Sequence, residues 1–190
     1  MDIPPAIANL HLCHAFKGYA TKVTDCIETT SDTTFYVIDD SSLGYSRFVN
    51  SKEISYGHFT GYNPQPLDIT LLSIDNKLIS GLPDGIADCA LIHNGMICFI
   101  EFKSNALGHS PEAVDYTYDK AVSQLENTIN HFDRLISAVG INLRATVEIV
   151  CHVVVAPHFP RSIASEMNSI MKFAERNGAI ELSFDDNRTF

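Results

Sequence analysis

The sequence predicts an α/β fold with a mixed sheet. Three patterns point to it: short strand-like runs over residues 67–103, a long amphipathic helix pattern from 110 to 140, and strand, helix and strand again over residues 146–184. A meander followed by helical crossovers gives a sheet with antiparallel and parallel pairs, layered with helices.

The elements follow in order. Pro5 to Glu28 is expected to be helical, with Leu10, Phe16, Ala20 and Val23 near helical spacing, although Gly18 weakens it. Thr33 to Ile38 reads as a strand. Asp39 to Pro66, rich in Ser, Gly, Asn and Pro, reads as loop with at most a short helix. Asp68 to Asp75 is a strand, Asp75-Asn76 a turn, and Lys77 to Ser80 a return strand. Ile86 to His93 and Met96 to Lys103 are strands joined by Asn94-Gly95, a type I′ hairpin signal. The continuous apolar run MICFIEFK suits a sheet buried on both faces.

Ser110-Pro111-Glu112 starts the clearest helix, with a cap, a proline in the first position and an acid in the first turn. Val114, Tyr118, Ala121, Leu125, Thr128, Phe132 and Ile136 keep its period until Gly140. Thr146 to Ala156 is a buried strand, Pro160 to Asn177 a helix with Gly178 past its end, and Ala179 to Phe184 a last strand.

A chain of 190 residues, 45% apolar and 19% charged, suits one domain over 1–190, with a core at about 67–184 and an N-terminal region over 1–66. The net charge of −10 argues against coating nucleic acid by bulk electrostatics, and leaves room for an enzyme that meets it at one surface through bound cations. Five cysteines, three of them (Cys89, Cys98, Cys151) in apolar runs, read as small buried hydrophobes in a reducing compartment. The N-terminus lacks a basic stretch followed by an apolar run, and no apolar stretch nears ~20 residues. A cytoplasmic protein without membrane contact is expected.

Hairpin arithmetic locates the chemistry. With Asn94 and Gly95 as the turn, paired positions sum to 189, so Asp88 faces Glu101 and Ile86 faces Lys103. Alternation puts Asp88, Glu101 and Lys103 on one face, with opposed Cβ atoms ~4.5–5.5 Å apart. Two carboxylates so placed repel each other, and among apolar neighbours they need a partner. A divalent cation would supply it, and oxygen ligands suit Mg²⁺ or Mn²⁺. Lys103 could then hold an attacking water or stabilise charge on a phosphoryl oxygen.

The run Gly81-Leu82-Pro83-Asp84-Gly85-Ile86-Ala87-Asp88, followed by Glu101-Phe102-Lys103, resembles the signature of the PD-(D/E)xK nuclease superfamily. Over residues 67–156 the resemblance implies a restriction-endonuclease-like sandwich, with a central mixed sheet flanked by helices. It also implies Asp88 and Glu101 as metal ligands, Lys103 as the catalytic lysine and the Phe102 carbonyl as a further ligand. Many members carry a glutamine on the helix after this strand, which points to Gln124. That residue lies in a polar row with Lys120, Asn127 and His131.

Two residues compete for the first aspartate. Asp84 follows Pro83 and matches the literal motif, whereas Asp88 fits the hairpin geometry and is preferred; Asp84 is left a supporting or turn role. Some members draw an acid from the helix before the meander, for which Glu28 and Glu53 are candidates. His11, Cys13 and His14 lack a second pair at metal spacing and read as packed or exposed residues. His152 reads as a core histidine, and Ser104-Asn105 as plain loop. Neither a phosphate-binding glycine loop nor a nucleophile elbow is present in the sequence.

The expected function is a Mg²⁺- or Mn²⁺-dependent nuclease acting on nucleic acid, DNA before RNA. The alternatives are a non-catalytic binding module on the same fold and a structural subunit of a larger complex. A homodimer would let two centres address two strands, and no sequence feature demands one.

Overall fold

The structure, a computed structural model, describes residues 3–54, 57–104, 106 and 110–190. Among them the chain runs through α1 (Pro5–Asn9), α2 (Leu12–Ala15), a 3₁₀ turn (Val23–Asp25), β1 (Ile27–Thr30), β2 (Thr34–Asp40), β3 (Tyr45–Val49), β4 (Phe59–Tyr62) and β5 (Ile69–Ser73). There follow β6 (Cys89–His93), β7 (Met96–Lys103), α3 (Pro111–Ser137), α4 (Leu143–Thr146), β8 (Glu148–Val155), α5 (Ile163–Asn177), β9 (Glu181–Ser183) and β10 (Asn187–Thr189).

The strands form two mixed sheets. The larger has the order β1-β5-β6-β7-β8-β9, and the smaller β10-β4-β2-β3. The meander β5-β6-β7 is antiparallel, whereas β8 and β9, reached through helical connections, add in parallel. A parallel neighbour needs a crossover long enough to return the chain to the same end of the sheet, and α3 and α5 lie in those crossovers.

Alternation along β7 explains its unbroken apolar run. Ile97 and Phe99 join a core shared with α1, α2, α3 and α5, through residues such as Ile7, Leu12, Leu125, Phe132 and Phe173. Cys98, Ile100 and Phe102 join a second core with Phe35, Val37 and Phe59 of the smaller sheet. The central strand is therefore covered on both faces, and each apolar residue is held out of water. The buried apolar residues of the helices all serve the first core. The larger sheet thus has helices on one face and a four-stranded sheet on the other, where the sequence led us to expect helices as the flanking layers.

Several local expectations are corrected. Residues 5–28 do not form one helix. His11 sits in the left-handed region at φ 50° between two short helices, and the segment ends in β1. Leu10, Phe16 and Val23 are buried all the same while Ala20 is exposed, so the spacing recorded burial at three of its four positions and not helical continuity. Residues 39–66 contain β3 and β4. The β2–β3 turn is built on Asp40, whose Oδ1 accepts from the amides of Ser42 and Leu43. Residues 77–80 make only a single bridge, Asp75 to Ile79. At residues 94–95 only Gly95 has positive φ, 90°, so the turn is not type I′. It still spans two residues, and the His93–Met96 pairing is as counted. The strand expected from Ile86 begins at Cys89, and the helix expected from Pro160 begins after Ser162, whose hydroxyl caps it by accepting from the Ser165 amide. Strand β10 carried no apolar signal. Among the described residues no helix is long and apolar enough to cross a membrane.

Gly61 of β4 pairs with Phe35 of β2, and the Phe35 ring lies across it; a Cβ added there would stand 2.0 Å from Phe35 Cζ. Gly61→Ala should therefore overpack the second core and cost about 1–3 kcal/mol. Urea unfolding would read this as a lower midpoint at unchanged slope. An unshifted midpoint would mean that Phe35 turns away freely.

Candidate active site at the end of the large sheet

The β6–β7 ladder runs from His93–Met96 to Cys89–Ile100, every pair summing to 189. Ala90, Ile92, Ile97 and Phe99 all face the helical core, so the alternation sends Asp88, Glu101 and Lys103 to that same side. Asp88 lies one step beyond the last ladder pair. Its carboxylate oxygen Oδ2 accepts from the Phe102 amide at 2.6 Å, and its carbonyl accepts from the amides of Ile74 and Asp75. The side chain thus takes over where the ladder stops.

Helix α3 supplies the rest. Gln124, Asn127 and Thr128 lie on one stripe of it, three and four residues apart. Thr128 Oγ1 accepts from the Ala87 amide at 2.7 Å, Gln124 Nε2 donates to the Ile86 carbonyl at 3.2 Å, and Asn127 Nδ2 donates to the Asp84 carbonyl at 3.0 Å. These bonds stitch residues 84–87 to the helix, which is why the strand does not extend to Ile86. Gly85 makes the close approach possible. Its φ is 71°, and a Cβ there would lie 3.0 Å from Gln124 Cγ. The amide oxygen of Gln124 also accepts from Lys103 Nζ at 2.6 Å, and Lys103 reaches Glu101 Oε1 at 2.5 Å.

Glu101 is 2% exposed. One oxygen meets Lys103, while Oε2 is buried with no hydrogen-bond partner. Burial pushes its carboxyl up to about 7 against the pull of Lys103, with Asp75 and Asp39 adding like charge. Asp88 is raised well above the ordinary carboxylate range by burial, then by Glu101 and Asp39. Asp39 and Asp75 are raised too, each first by burial, and Lys103 acts on both. Lys103 thus contacts Glu101 and pulls electrostatically on three further carboxylates, Asp39 of β2, Asp75 just after β5 and Asp88 just before β6. Acids perturbed by burial and by a specific charge partner make this end of the sheet a candidate functional site.

The structure gathers Asp88, Glu101, Lys103 and Gln124, with the Phe102 backbone between them. Asp84 is exposed in the preceding loop, with its carbonyl and not its carboxylate tied down. Glu28 lies on β1, separated from β7 by β5 and β6, and Glu53 pairs with Arg47 beside the smaller sheet. Lys120 is exposed and lines a cleft of about 300 Å³ with Lys103, Ser104, Asp39 and Tyr116. His131 bonds Tyr19 and Arg134. His14 lies beside Lys17, and His152 Nδ1 donates to the Asp185 carbonyl at 2.9 Å while its ring meets Phe59 edge-on. Asn105 falls outside the described residues. Asp39 and Asp75 were missed. The alternation Phe35, Val37, Asp39 was a usable signal for the first, but its pairing with a second sheet was not.

Among the described residues no group of three or more His, Cys, Asp or Glu side chains is arranged to hold a metal ion. Two carboxylates and a main-chain carbonyl remain, at Asp88, Glu101 and Phe102. That set suits Mg²⁺, which is commonly held by one or two carboxylates and keeps several waters or phosphate oxygens as its other ligands. The partnerless Glu101 Oε2 and the raised acids are the observations that fit a cation. Comparison with family models, with curated proteins and with solved structures finds no match for this chain.

A carboxyl whose folded value lies above its unfolded one binds its proton more tightly in the folded state, so stability falls as pH rises. Glu101 moves from 4.5 to about 7. Without divalent cations, the melting temperature should therefore decline between about pH 4.5 and 7, and Glu101→Gln should flatten that decline. A flat wild-type profile would show that the acids are not buried as described.

Proposed function

We propose that this chain is a divalent-metal-dependent phosphodiesterase that cleaves nucleic acid, with DNA as the expected substrate. The observation that carries the proposal is Glu101, a buried carboxylate with one oxygen on Lys103 and the other without a partner, opposite Asp88 by the hairpin register. As a device for stability this arrangement is poor, because buried ion pairs rarely recover their desolvation cost. As preorganisation for chemistry it is economical, since charges are set before substrate arrives.

Asp88, Glu101 and the Phe102 carbonyl are the groups that would hold the cation. Bound there, Mg²⁺ or Mn²⁺ supplies Lewis-acid polarisation of a phosphoryl oxygen and a water of lowered pKa. The chain's own residues do the positioning. The Phe102 amide fixes the Asp88 carboxylate, and Gln124, itself anchored on the Ile86 carbonyl, fixes Lys103. An ammonium group has three protons, of which Glu101 and Gln124 take two. The third can donate to an attacking water or to a phosphoryl oxygen.

Calorimetric titration of Mn²⁺ should show binding to wild type and none to the Asp88→Asn/Glu101→Gln double variant. Lys103→Ala should keep metal binding and lose about 10²–10³-fold in DNA cleavage. Gln124→Ala should lose up to about 10²-fold, because it loosens the lysine without removing it. Wild type that binds no metal and cleaves neither DNA nor RNA would overturn the proposal and leave a non-catalytic module on this fold.

A further inference from the structure

The cleft beside Lys103 has a second wall that the chemistry above does not use. Tyr116, Thr117 and Lys120 of α3 face Asp39, Phe102, Lys103, Ser104 and Ala106 across it. Tyr116 is 69% exposed, the most exposed aromatic among the described residues. The buried stripe of α3 runs through Val114, Tyr118, Ala121, Val122 and Leu125, so the core makes no use of Tyr116. Tyr116 and Lys120 are four residues apart and share one stripe of the helix. The cleft, about 300 Å³, lies at the small end of the usual range of small-ligand sites. A site of that size suits one small unit at a time.

Charge limits what can bind there. With a net charge of −10 the chain cannot draw in a polyanion by bulk field. Stacking a base on an aromatic ring needs no net charge and tolerates any base. Such a ring can take a base only by its flat face, and in an intact duplex that face is covered by neighbours everywhere except at the two ends.

We propose that Tyr116 stacks an unpaired base and Lys120 meets the adjoining phosphate, so that the strand presented to Lys103 is single-stranded or frayed. This rests on the nuclease reading for the cleavage and stands apart from it for the binding. The ring supplies most of the affinity, and the single lysine keeps the salt dependence shallow.

The test measures binding first, with EDTA present so that no cleavage step enters. Anisotropy of a labelled oligothymidylate should report binding by the wild-type chain and weaker binding of a blunt duplex of the same length. Tyr116→Ala should weaken oligothymidylate binding at least about fivefold, the lower end for one stacked base, while Tyr116→Phe stays within about twofold. Alanine favours helix at this exposed position, so folding is not at risk. Lys120→Gln should lower the salt slope by about 0.7, the value for one phosphate contact on a single strand. With Mg²⁺ added, single strands should be cut in preference to blunt duplex, and Tyr116→Ala should erase the preference. Binding lost in Tyr116→Ala without any cleavage would uphold the cleft and sink only the nuclease reading. Binding and strand preference unchanged in Tyr116→Ala, or blunt duplex bound more tightly, would overturn the inference.

Discussion

A carboxylate placed in a sheet that is covered on both faces has to find its partners inside the protein. Glu101 is in that position, with α3 over one face of β7 and the smaller sheet under the other. Much of the local architecture answers to this constraint. Lys103 lies two residues on, on the same side of the strand, because alternation returns every second residue to one face. Asp88 arrives across the hairpin and is held by a backbone amide. Even so, one oxygen of Glu101 is left unsatisfied, and such a vacancy in a buried polar group is costly. Four other buried side-chain atoms among the described residues share that state, and what sets Glu101 apart is that its atom belongs to a carboxylate beside a second raised acid, Asp88.

Helix α3 has two stripes with two tasks. Its apolar stripe closes the first core over β7 and β8. Gln124, Asn127 and Thr128 replace the hydrogen bonds that β6 gives up at residues 84–87. Gln124 adds a further task, since it donates to the Ile86 carbonyl and accepts from the Lys103 ammonium. The lysine is therefore placed by two rigid elements, a strand and a helix, and not by a loop. Substitutions along this helix should be read by stripe, since neighbours in sequence serve different layers.

The hairpin register was legible from sequence even though the turn type was not. A two-residue connection fixes which residues face each other whatever its dihedral angles, so the sum of 189 holds with Gly95 alone at positive φ. Gln124 came from the resemblance, since the helical period alone placed it in one polar row with Lys120, Asn127 and His131 without choosing among them. Asp39 and Asp75 were not, because they reach the site from β2 and from beyond β5 through the contact of two sheets, which no local period records. The same gap explains β3 and β4. Strands of five and four residues with Ser, Arg, Thr and Gly among them carry little alternation, and their partners decide their state. The N-terminal misreading has a different cause: apolar spacing marks what is buried, and a single left-handed residue at His11 changes the backbone without changing the burial.

The acidity of the chain and the chemistry of the site are less opposed than they first look. Proteins that bind nucleic acid through released counterions need a broad basic surface, and a chain with 23 acids against 13 bases has none to spare. An enzyme that works on one phosphodiester needs positive charge only where the charge develops. In the proposed reading, the acids gathered around Lys103 recruit that charge as a cation, so local negative potential becomes the means of meeting a phosphate and not the obstacle to it. The same negative field around the cleft disfavours long stretches of duplex, whose backbones would cross it many times. What such a surface tolerates best is a short segment of strand, entering where a lysine and an aromatic ring face the site, and leaving again without a large electrostatic penalty to overcome.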